Sequence, residues 1–344
     1  MQNDWHKWSP VAHRSKLWSN YMAAPSVPTK AEIRTQALQL GFDLVGFTTA
    51  APPTHSAEFR QWLADGFNGE MAYLARRAKE RMEPRQLAPA AQSIIVVGMN
   101  YGTTGTAHLA RYAAGPSDYH EWMGAKLAQL AGWIGNSIWY VDTGPILERD
   151  LAQRAGLGWI GKHTNLISQK FGNWIFLGAI LSPLDLAPDA PGPALCGTCQ
   201  RCITACPTQA IVAPYRLDAR RCIAYLTIEL KGSIPVEFRP AIGGRIFGCD
   251  DCLEVCPWNR FAKLVISPRP LPALTEMLLW TDAQFADYFR GTPIYRLKRR
   301  GWLRNICVAL GNSGDRSALP ALHRALNDAE PLVREHAAWA IAQL

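Results

Sequence analysis

The chain has 344 residues, of which 48% are hydrophobic and 19% charged, so it can build two or three folded domains and is not a disordered protein. The net charge of +8 favours a polyanionic partner such as nucleic acid, although a basic protein without such a partner would carry the same charge. No apolar stretch is long enough to cross a membrane, and the N-terminus lacks the apolar core of a secretory signal. With nine cysteines, we therefore expect a cytoplasmic protein that uses cysteine for ligation and not for disulfides.

Helices and strands alternate in the first half of the chain. Residues 1–28 are a tail rich in Trp, Ser and Pro, and residues 1–21 are expected to be dispensable or to reflect a translation start assigned too far upstream. A capping box at Thr29 and Glu32 predicts a helix that stops at Gly41. Further helices are predicted at 56–64, 70–77, 118–133 and 146–155, and strands at 42–47, 93–99, 137–142 and 173–181. This alternation predicts a layered α/β or α+β domain over residues 29–184.

Two more domains are predicted after a proline-rich boundary at 183–193. Residues 185–265 contain eight of the nine cysteines and one predicted helix at 218–230. Residues 266–344 read as helix pairs, in a pattern that resembles a HEAT-type repeat of about 40 residues. A single repeat cannot bury its own apolar face, so it should dock on the rest of the protein.

The cysteines fall into two runs that each end in Cys-Pro. Gaps of two residues let one tight loop wrap three corners of an iron–sulfur cube, while the Cys before Pro ligates the other cluster. This crossing rule predicts cluster one on Cys196, Cys199, Cys202 and Cys256, and cluster two on Cys206, Cys222, Cys249 and Cys252. Cys222 stands alone between the runs and must replace a ligand, because Ile246 occupies the place of the second run's first cysteine. Cys307 is left over as a small core residue.

Two zinc sites are the alternative, since zinc also accepts four thiolates. Zinc ribbons usually show paired knuckles of two cysteines, whereas here a run of three is followed by Cys-Pro. Exchange of ligands between the runs would hold two cubes close together as an electron relay. Such a relay needs an end point, and the preceding α/β domain is the natural place for a second, catalytic cofactor.

Longer motifs give the chain a resemblance to the epoxyqueuosine reductases, from about Thr29 to Leu344. The motifs are Arg111-Tyr112-Ala113, Asp118-Tyr119-His120, Val141-Asp142-Thr143-Gly144-Pro145, Glu148-Arg149, Gly158 to Leu166, Phe171 to Trp174, Ala219 to Ile223, Glu229 to Gly232, Gly291-Thr292-Pro293 and Trp302 to Asn305. The resemblance implies a cobalamin-binding first domain related to that of reductive dehalogenases, a ferredoxin-like domain with two [4Fe-4S] clusters, and a helical HEAT-like domain.

The resemblance also implies a reaction and a proton donor. The family removes the oxygen of an epoxide on a modified wobble base of tRNA, using base-off cobalamin, two electrons and two protons. Its proton donor matches Asp142, which lies at the C-terminal end of the strand at 137–142; otherwise Asp142 would be a helix cap. We expect burial beside an apolar corrin to raise the pKa of Asp142. His120 is expected to be a positioning or structural residue and not a cobalt ligand.

Cofactor and tRNA contacts are predicted along the same motifs. The predicted cobalamin contacts are Arg111, Tyr112, Asp142, Lys162, His163, Asn165, Leu166 and Ser168. The predicted tRNA contacts are Arg149, Arg220, Arg221, Lys231, Lys298, Arg299, Arg300 and Arg304, whose charges can neutralise phosphates or form a solvated face. An external low-potential electron donor is required, and a monomer is expected. The competing functions are a reductive dehalogenase, a ferredoxin-type electron-transfer protein and a zinc-bearing nucleic-acid binder.

Overall fold

The computed structural model describes residues 27–344, and the predictions for residues 1–26 lie outside this range. The first part of the chain contains six helices and six strands. In chain order these are α1 (Lys30–Gln39), β1 (Leu44–Thr49), α2 (Ser56–Ala64), α3 (Ala72–Arg76), α4 (Ala78–Met82), β2 (Ser93–Asn100), α5 (Tyr119–Ile134), β3 (Ile138–Val141), α6 (Glu148–Arg154), β4 (Trp159–Ile160), β5 (Leu166–Ile167) and β6 (Ile175–Ser182). The capping box that starts α1 is present.

Four of these strands form one antiparallel sheet in the order β1-β2-β6-β3. Strand β2 is buried on both faces, which explains its unbroken apolar sequence. Ile95 and Val97 pack in the same core as Met123 of α5. Ile94 packs on the opposite face with Leu151 of α6. Helices therefore cover both faces of the sheet, although its strands are antiparallel.

The cysteine-containing part is built from short elements: α7 (Arg201–Thr204), β7 (Ile211–Ala213), β8 (Arg216–Leu217), α8 (Arg239–Ile242) and α9 (Asp251–Glu254). The continuous helix predicted at 218–230 is wrong. A 3-10 turn (Ala219–Arg221) is followed by Cys222 in an extended conformation and then by a π-helix (Tyr225–Glu229). The Thr227 hydroxyl donates to the carbonyl of Ile223 at 2.7 Å and accepts from the Gly248 amide at 2.9 Å, which ties this irregular turn to the second cysteine run.

The C-terminal part contains α10 (Leu274–Met277), α11 (Asp282–Phe289), α12 (Lys298–Gly311), α13 (Leu319–Ala325) and α14 (Pro331–Gln343). Helix α12 is surrounded by protein beyond its first turn, and its Trp302 and Ile306 share a core with Ile246 and Phe247 of the cysteine region. The helical part thus docks on the rest of the protein as predicted. None of the helices in the described range combines the length and the apolar character needed to cross a membrane.

The proline-rich boundary packs closely against the first part of the chain. Leu186 is buried in the core between the sheet and α5. The Asp189 carboxylate accepts from the Phe47 amide at 3.0 Å and forms salt bridges with Lys30 and Arg34. This segment therefore fixes the start of the cysteine region relative to the sheet.

Candidate active site and iron–sulfur centres

An aromatic pocket of about 440 Å³ opens where β2 ends and β6 begins. Its walls include Tyr112, Tyr119, Trp122 and Phe176, and Asn100 adds a polar group. The rings of Tyr119 and Phe176 stack with centroids 4.0 Å apart, so that part of the wall is rigid and flat. The pocket thus offers both ring faces and polar atoms to a ligand.

Asp142 directly follows β3 and is bonded to this wall. Its carboxylate accepts from the Tyr119 hydroxyl at 2.6 Å and from His120 Nε2 at 3.1 Å, while its side chain stays 56% exposed. Its backbone has φ of 47°, a left-handed conformation that is strained for a residue with a Cβ. Surrounding protein raises the pKa of Asp142, but the hydrogen bond and charge of His120, with help from Tyr119 and Arg149, lower it to about 2. The predicted rise in this pKa is therefore wrong.

His120 is held between two carboxylates. Its Nδ1 lies 2.7 Å from Asp118 and its Nε2 lies 3.1 Å from Asp142. Burial lowers the pKa of His120, but the hydrogen bonds to Asp118 and Asp142 outweigh it, so the net shift is upward. Arg296 forms a salt bridge of 2.5 Å with Asp118, so the series of contacts runs from Arg296 through Asp118 and His120 to Asp142. His120 is thus fixed in orientation by hydrogen bonds on both ring nitrogens, and its positioning role stays a prediction.

Arg81 of α4 holds the loop that follows Asp142 in place. This guanidinium is buried, and its Nη1 donates to the carbonyls of Gly144 and Ile146 at 3.1 Å each. Glu148 starts the next helix, and its Oε1 is buried without a hydrogen-bond partner among the described residues. Burial and the charge of Asp142 raise the pKa of Glu148 well above its usual range. No sequence signal marked Arg81, which lies outside the predicted helices, four residues after the one at 70–77.

The eight cysteines converge in the two groups predicted by the crossing rule. Burial raises the pKa of the Cys252 thiol, and the nearby charges of Cys222, Cys249 and Cys206 raise it further. The pKa values of Cys202 and Cys256 are raised by burial and by the charges of Cys196 and Cys199. Cys222 thus stands beside the second group, while Ile246 is fully buried in the apolar core. Ligation itself stays a prediction.

The spacing of these thiols bears on the kind of metal centre. Within residues 27–344, no three His, Cys, Asp or Glu side chains converge closely enough to hold a single metal ion. Thiolates around an iron–sulfur cube lie farther apart, because the iron atoms stand between them. Two groups of four thiols are the donor set that two [4Fe-4S] cubes require.

The loop of cluster two lies directly against the pocket. The Arg111 amide donates to the Asp250 carboxylate at 2.6 Å, and the Ala110 amide donates to the Phe247 carbonyl at 2.8 Å. The side chain of Arg111 is bonded to Glu254 on α9 at 3.1 Å. Arg111 therefore joins the pocket to the cluster loop, next to Tyr112 in the pocket wall.

The five predicted cobalamin contacts in the segment 162–168 lie in different environments. Lys162 is buried and donates to the carbonyls of Gly197 and Cys199 at 2.7 and 2.9 Å, so it supports the loop of cluster one; its assignment to cobalamin is corrected. Leu166 is likewise a core residue beneath the sheet. His163 is buried, its Nε2 has no partner in the described range, and burial together with Arg149 lowers its pKa to about 4.

The remaining two residues of this segment make local backbone contacts. The Asn165 amide donates to His163 Nδ1 at 3.2 Å, and the Ser168 hydroxyl accepts from the Lys170 amide at 3.1 Å. Neither contact places these side chains in the aromatic pocket.

The predicted tRNA contacts divide into exposed side chains and side chains held inside the protein. Arg304 is fully buried and donates to the carbonyls of Leu226, Leu230 and Gly232, so its assignment to tRNA is wrong. Arg299 is bound to Asp328 within the helical part, which also removes it from the surface. Arg221 is half-buried and donates to the Thr208 carbonyl at 3.1 Å. The exposed members of the set are Arg149, Arg220, Lys231, Lys298 and Arg300.

Two sets of four thiols define an iron–sulfur oxidoreductase. The neighbouring pocket, whose wall is bonded to the Asp142–His120 pair, gives it a second reaction site. A family model described as a 4Fe-4S double cluster binding domain matches residues 195–259, one described as Epoxyqueuosine reductase QueG, DUF1730 matches 81–143, and one described as HEAT repeats matches 303–344. The epoxyqueuosine reductase of Xanthomonas campestris is 45% identical, covering 91% of this chain and 95% of its own. The chain belongs to the epoxyqueuosine reductase family.

Other relatives agree with this assignment. The epoxyqueuosine reductase of Escherichia coli is 42% identical over 91% of this chain and 88% of its own. An epoxyqueuosine reductase solved with an epoxyqueuosine-modified tRNA-Tyr stem loop is 30% identical with a TM-score of 0.85, covering 91% of this chain and 89% of its own. A structure from Bacillus subtilis, with its catalytic aspartate loop swung out of the active site, is 30% identical with a TM-score of 0.82 over 91% and 90% of the two chains.

Proposed function

We propose that this chain reduces the epoxide of epoxyqueuosine in tRNA to the alkene of queuosine, consuming two electrons and two protons and releasing the oxygen as water. The observation that carries the proposal is the Asp142–His120 pair at a pocket that adjoins the loop of cluster two. Electrons and a proton can therefore reach the same point. The names of relatives at 42–45% identity support the substrate.

We infer base-off cobalamin as the ligand of the aromatic pocket. Tyr112, Trp122 and Asn100 would hold it, because flat rings and an amide suit a macrocycle fringed with polar groups. When bound, cobalamin would supply a strongly reducing cobalt centre for opening the epoxide. Arg111, His163, Asn165 and Ser168 stay predicted cobalamin contacts, although none of them lines this pocket.

The protein's own part in the chemistry is to deliver a proton and to hold the substrate. A protonated His120 supplies the proton, and Asp142 passes it to the oxygen of the opening epoxide. The exposed basic residues Arg149, Arg220, Lys231, Lys298 and Arg300 are proposed to bind tRNA phosphates. We further infer a cytoplasmic monomer that receives electrons from an external low-potential donor.

The test is anaerobic incubation of the cobalamin- and cluster-loaded protein with dithionite and epoxyqueuosine-containing tRNA, followed by nucleoside mass analysis. Wild-type protein should form queuosine, and Asp142→Asn should turn over roughly 10²–10⁴-fold more slowly, as is typical of a lost general acid. Asp185→Asn, which alters an exposed aspartate in the proline-rich segment, is the matched control. Intact epoxide after incubation with fully loaded wild-type protein would refute the proposed function.

A further inference from the structure

A shallow groove of about 860 Å³ lies between α7 and α9, on the surface above cluster one. Cys256, a predicted ligand of cluster one, forms part of its wall together with Ala205, Val255 and Pro257. A redox partner seated in this groove would therefore contact a ligand of the cluster directly. Val255 is 36% exposed and adds an apolar contact surface at the same place.

The rim of this groove carries positive charge that no salt bridge among the described residues neutralises. Arg201 and Arg260 both line the groove and are exposed. No salt bridge to either arginine is present in residues 27–344. The Arg260 guanidinium lies 4.7 Å from the ring centroid of Phe261, which orients it. The one acidic side chain of the rim, Glu254, is neutralised by Arg111 at 3.1 Å.

The two ends of the relay face different surroundings. The loop of cluster two is hydrogen-bonded to Arg111 beside the aromatic pocket, whereas Cys256, a predicted ligand of cluster one, lines the groove. The pocket must receive the modified base of the tRNA, so an electron donor needs another entrance. The groove meets this need because it adjoins cluster one, whereas cluster two is the end of the relay beside the pocket.

We propose that this groove docks an acidic protein electron carrier of the ferredoxin or flavodoxin type. In each encounter the reduced carrier gives up one electron, and cluster one passes from the [4Fe-4S]²⁺ to the [4Fe-4S]⁺ state. Two encounters supply the two electrons of one turnover, and two oxidised carriers leave. This inference rests on the proposed function, because that function requires the clusters to be reduced. The positive rim suits the negative surface of such a carrier, and the small apolar floor allows close approach.

The test compares reduction of the clusters by reduced flavodoxin in Arg201→Glu/Arg260→Glu and wild-type protein, by anaerobic stopped-flow absorbance. The second-order rate should fall roughly tenfold to a thousandfold at low ionic strength, and its dependence on salt should weaken. Arg201→Gln/Arg260→Gln should lose less. Arg60→Glu/Arg324→Glu makes the same charge change at exposed positions on α2 and α13 and should behave as wild type.

Two further measurements, with dithionite and with tRNA, distinguish carrier docking from a damaged cluster and from an RNA-binding surface. Dithionite needs no docking surface, so it should reduce the clusters of every variant at the same rate and support queuosine formation. Unchanged flavodoxin rates in the groove variant would overturn the inference, as would equal slowing with dithionite, which indicates a damaged cluster. A loss of tRNA affinity with unchanged flavodoxin rates would identify the groove as an RNA surface and also overturn it. Failure of queuosine formation with dithionite, with normal flavodoxin rates, would count against the proposed function alone.

Discussion

Replacing Arg81 with methionine should release the loop that carries Asp142. The guanidinium donates from Nη1 to the carbonyls of Gly144 and Ile146, at 3.1 Å each, from a buried position behind the loop. Asp142 itself is in a left-handed conformation, which persists only where the surrounding structure enforces it. Loss of both bonds should therefore favour a loop in which Asp142 has left its hydrogen bonds to Tyr119 and His120.

The size of the effect follows from the contacts. A hydrogen bond to a charged group contributes about 1.5–3 kcal/mol. The two bonds of Arg81 share one nitrogen, and its Nε is buried without a partner among the described residues, so we take that range for the pair together. At about 1.4 kcal/mol per factor of ten, the loop equilibrium should shift by roughly 10- to 100-fold.

The assay is single-turnover formation of queuosine by loaded protein at saturating tRNA. Arg81→Met should be slower by about the factor derived above, with unchanged tRNA affinity, cluster content and cobalamin content, and Arg81→Lys should recover part of the rate. Arg85→Met is the control, because the exposed Arg85 donates to the Ala91 carbonyl at 3.2 Å and not to the loop. An Arg81→Met protein that turns over at the wild-type rate would show that the two bonds do not hold the loop.

Three other substitutions test the site and its support. Because the pKa of His120 is raised, wild-type turnover should persist until the pH rises through that pKa and then fall; His120→Gln should lose most turnover and show no such limb in a pH–rate profile. Arg304→Met leaves the buried Leu226 carbonyl and the part-buried Leu230 and Gly232 carbonyls without their donor, so urea unfolding should show a loss of about 1–3 kcal/mol, while the salt dependence of tRNA binding stays unchanged. Cys222→Ser should lose cluster two, and its iron content should fall from about eight to about four per chain, whereas Cys307→Ser should keep both clusters.

The grouping of the cysteines could be predicted from the sequence because it follows from local spacing. A loop with two-residue gaps can only wrap one centre, and a Cys-Pro turn directs its thiol elsewhere. The substitution of Cys222 for a residue at the Ile246 position was also accessible, since one unmatched cysteine and one vacant ligand position remained once Cys307 was assigned to the core. The structure brings Cys222 beside Cys249 and Cys252 through a π-helix that no periodicity predicted.

The fate of the basic residues could not be predicted in the same way. Arg299, Arg300 and Arg304 are close in sequence, but Arg300 and Arg304, one helical turn apart, contact the turn at 230–232, whereas Arg299 binds Asp328. The π-helix and the following turn leave carbonyls of residues 226–232 without helical partners, and Arg304 supplies the missing donors. A sequence pattern shows that a cation is present, but not that an irregular backbone elsewhere needs it.

The acid of the active site is formed by side chains from separate elements of the fold, His120 on α5 and Asp142 after β3. Asp142 with a pKa of about 2 is ionised at neutral pH and has no proton of its own to give. The raised pKa of His120 and the lowered pKa of Asp142 both favour a proton on the imidazole of this hydrogen-bonded pair. Negative charge that develops on an epoxide oxygen next to Asp142 would draw this proton across the 3.1 Å hydrogen bond. The acid is therefore the pair, and Asp118 and Arg296 hold His120 in the orientation that makes the transfer possible.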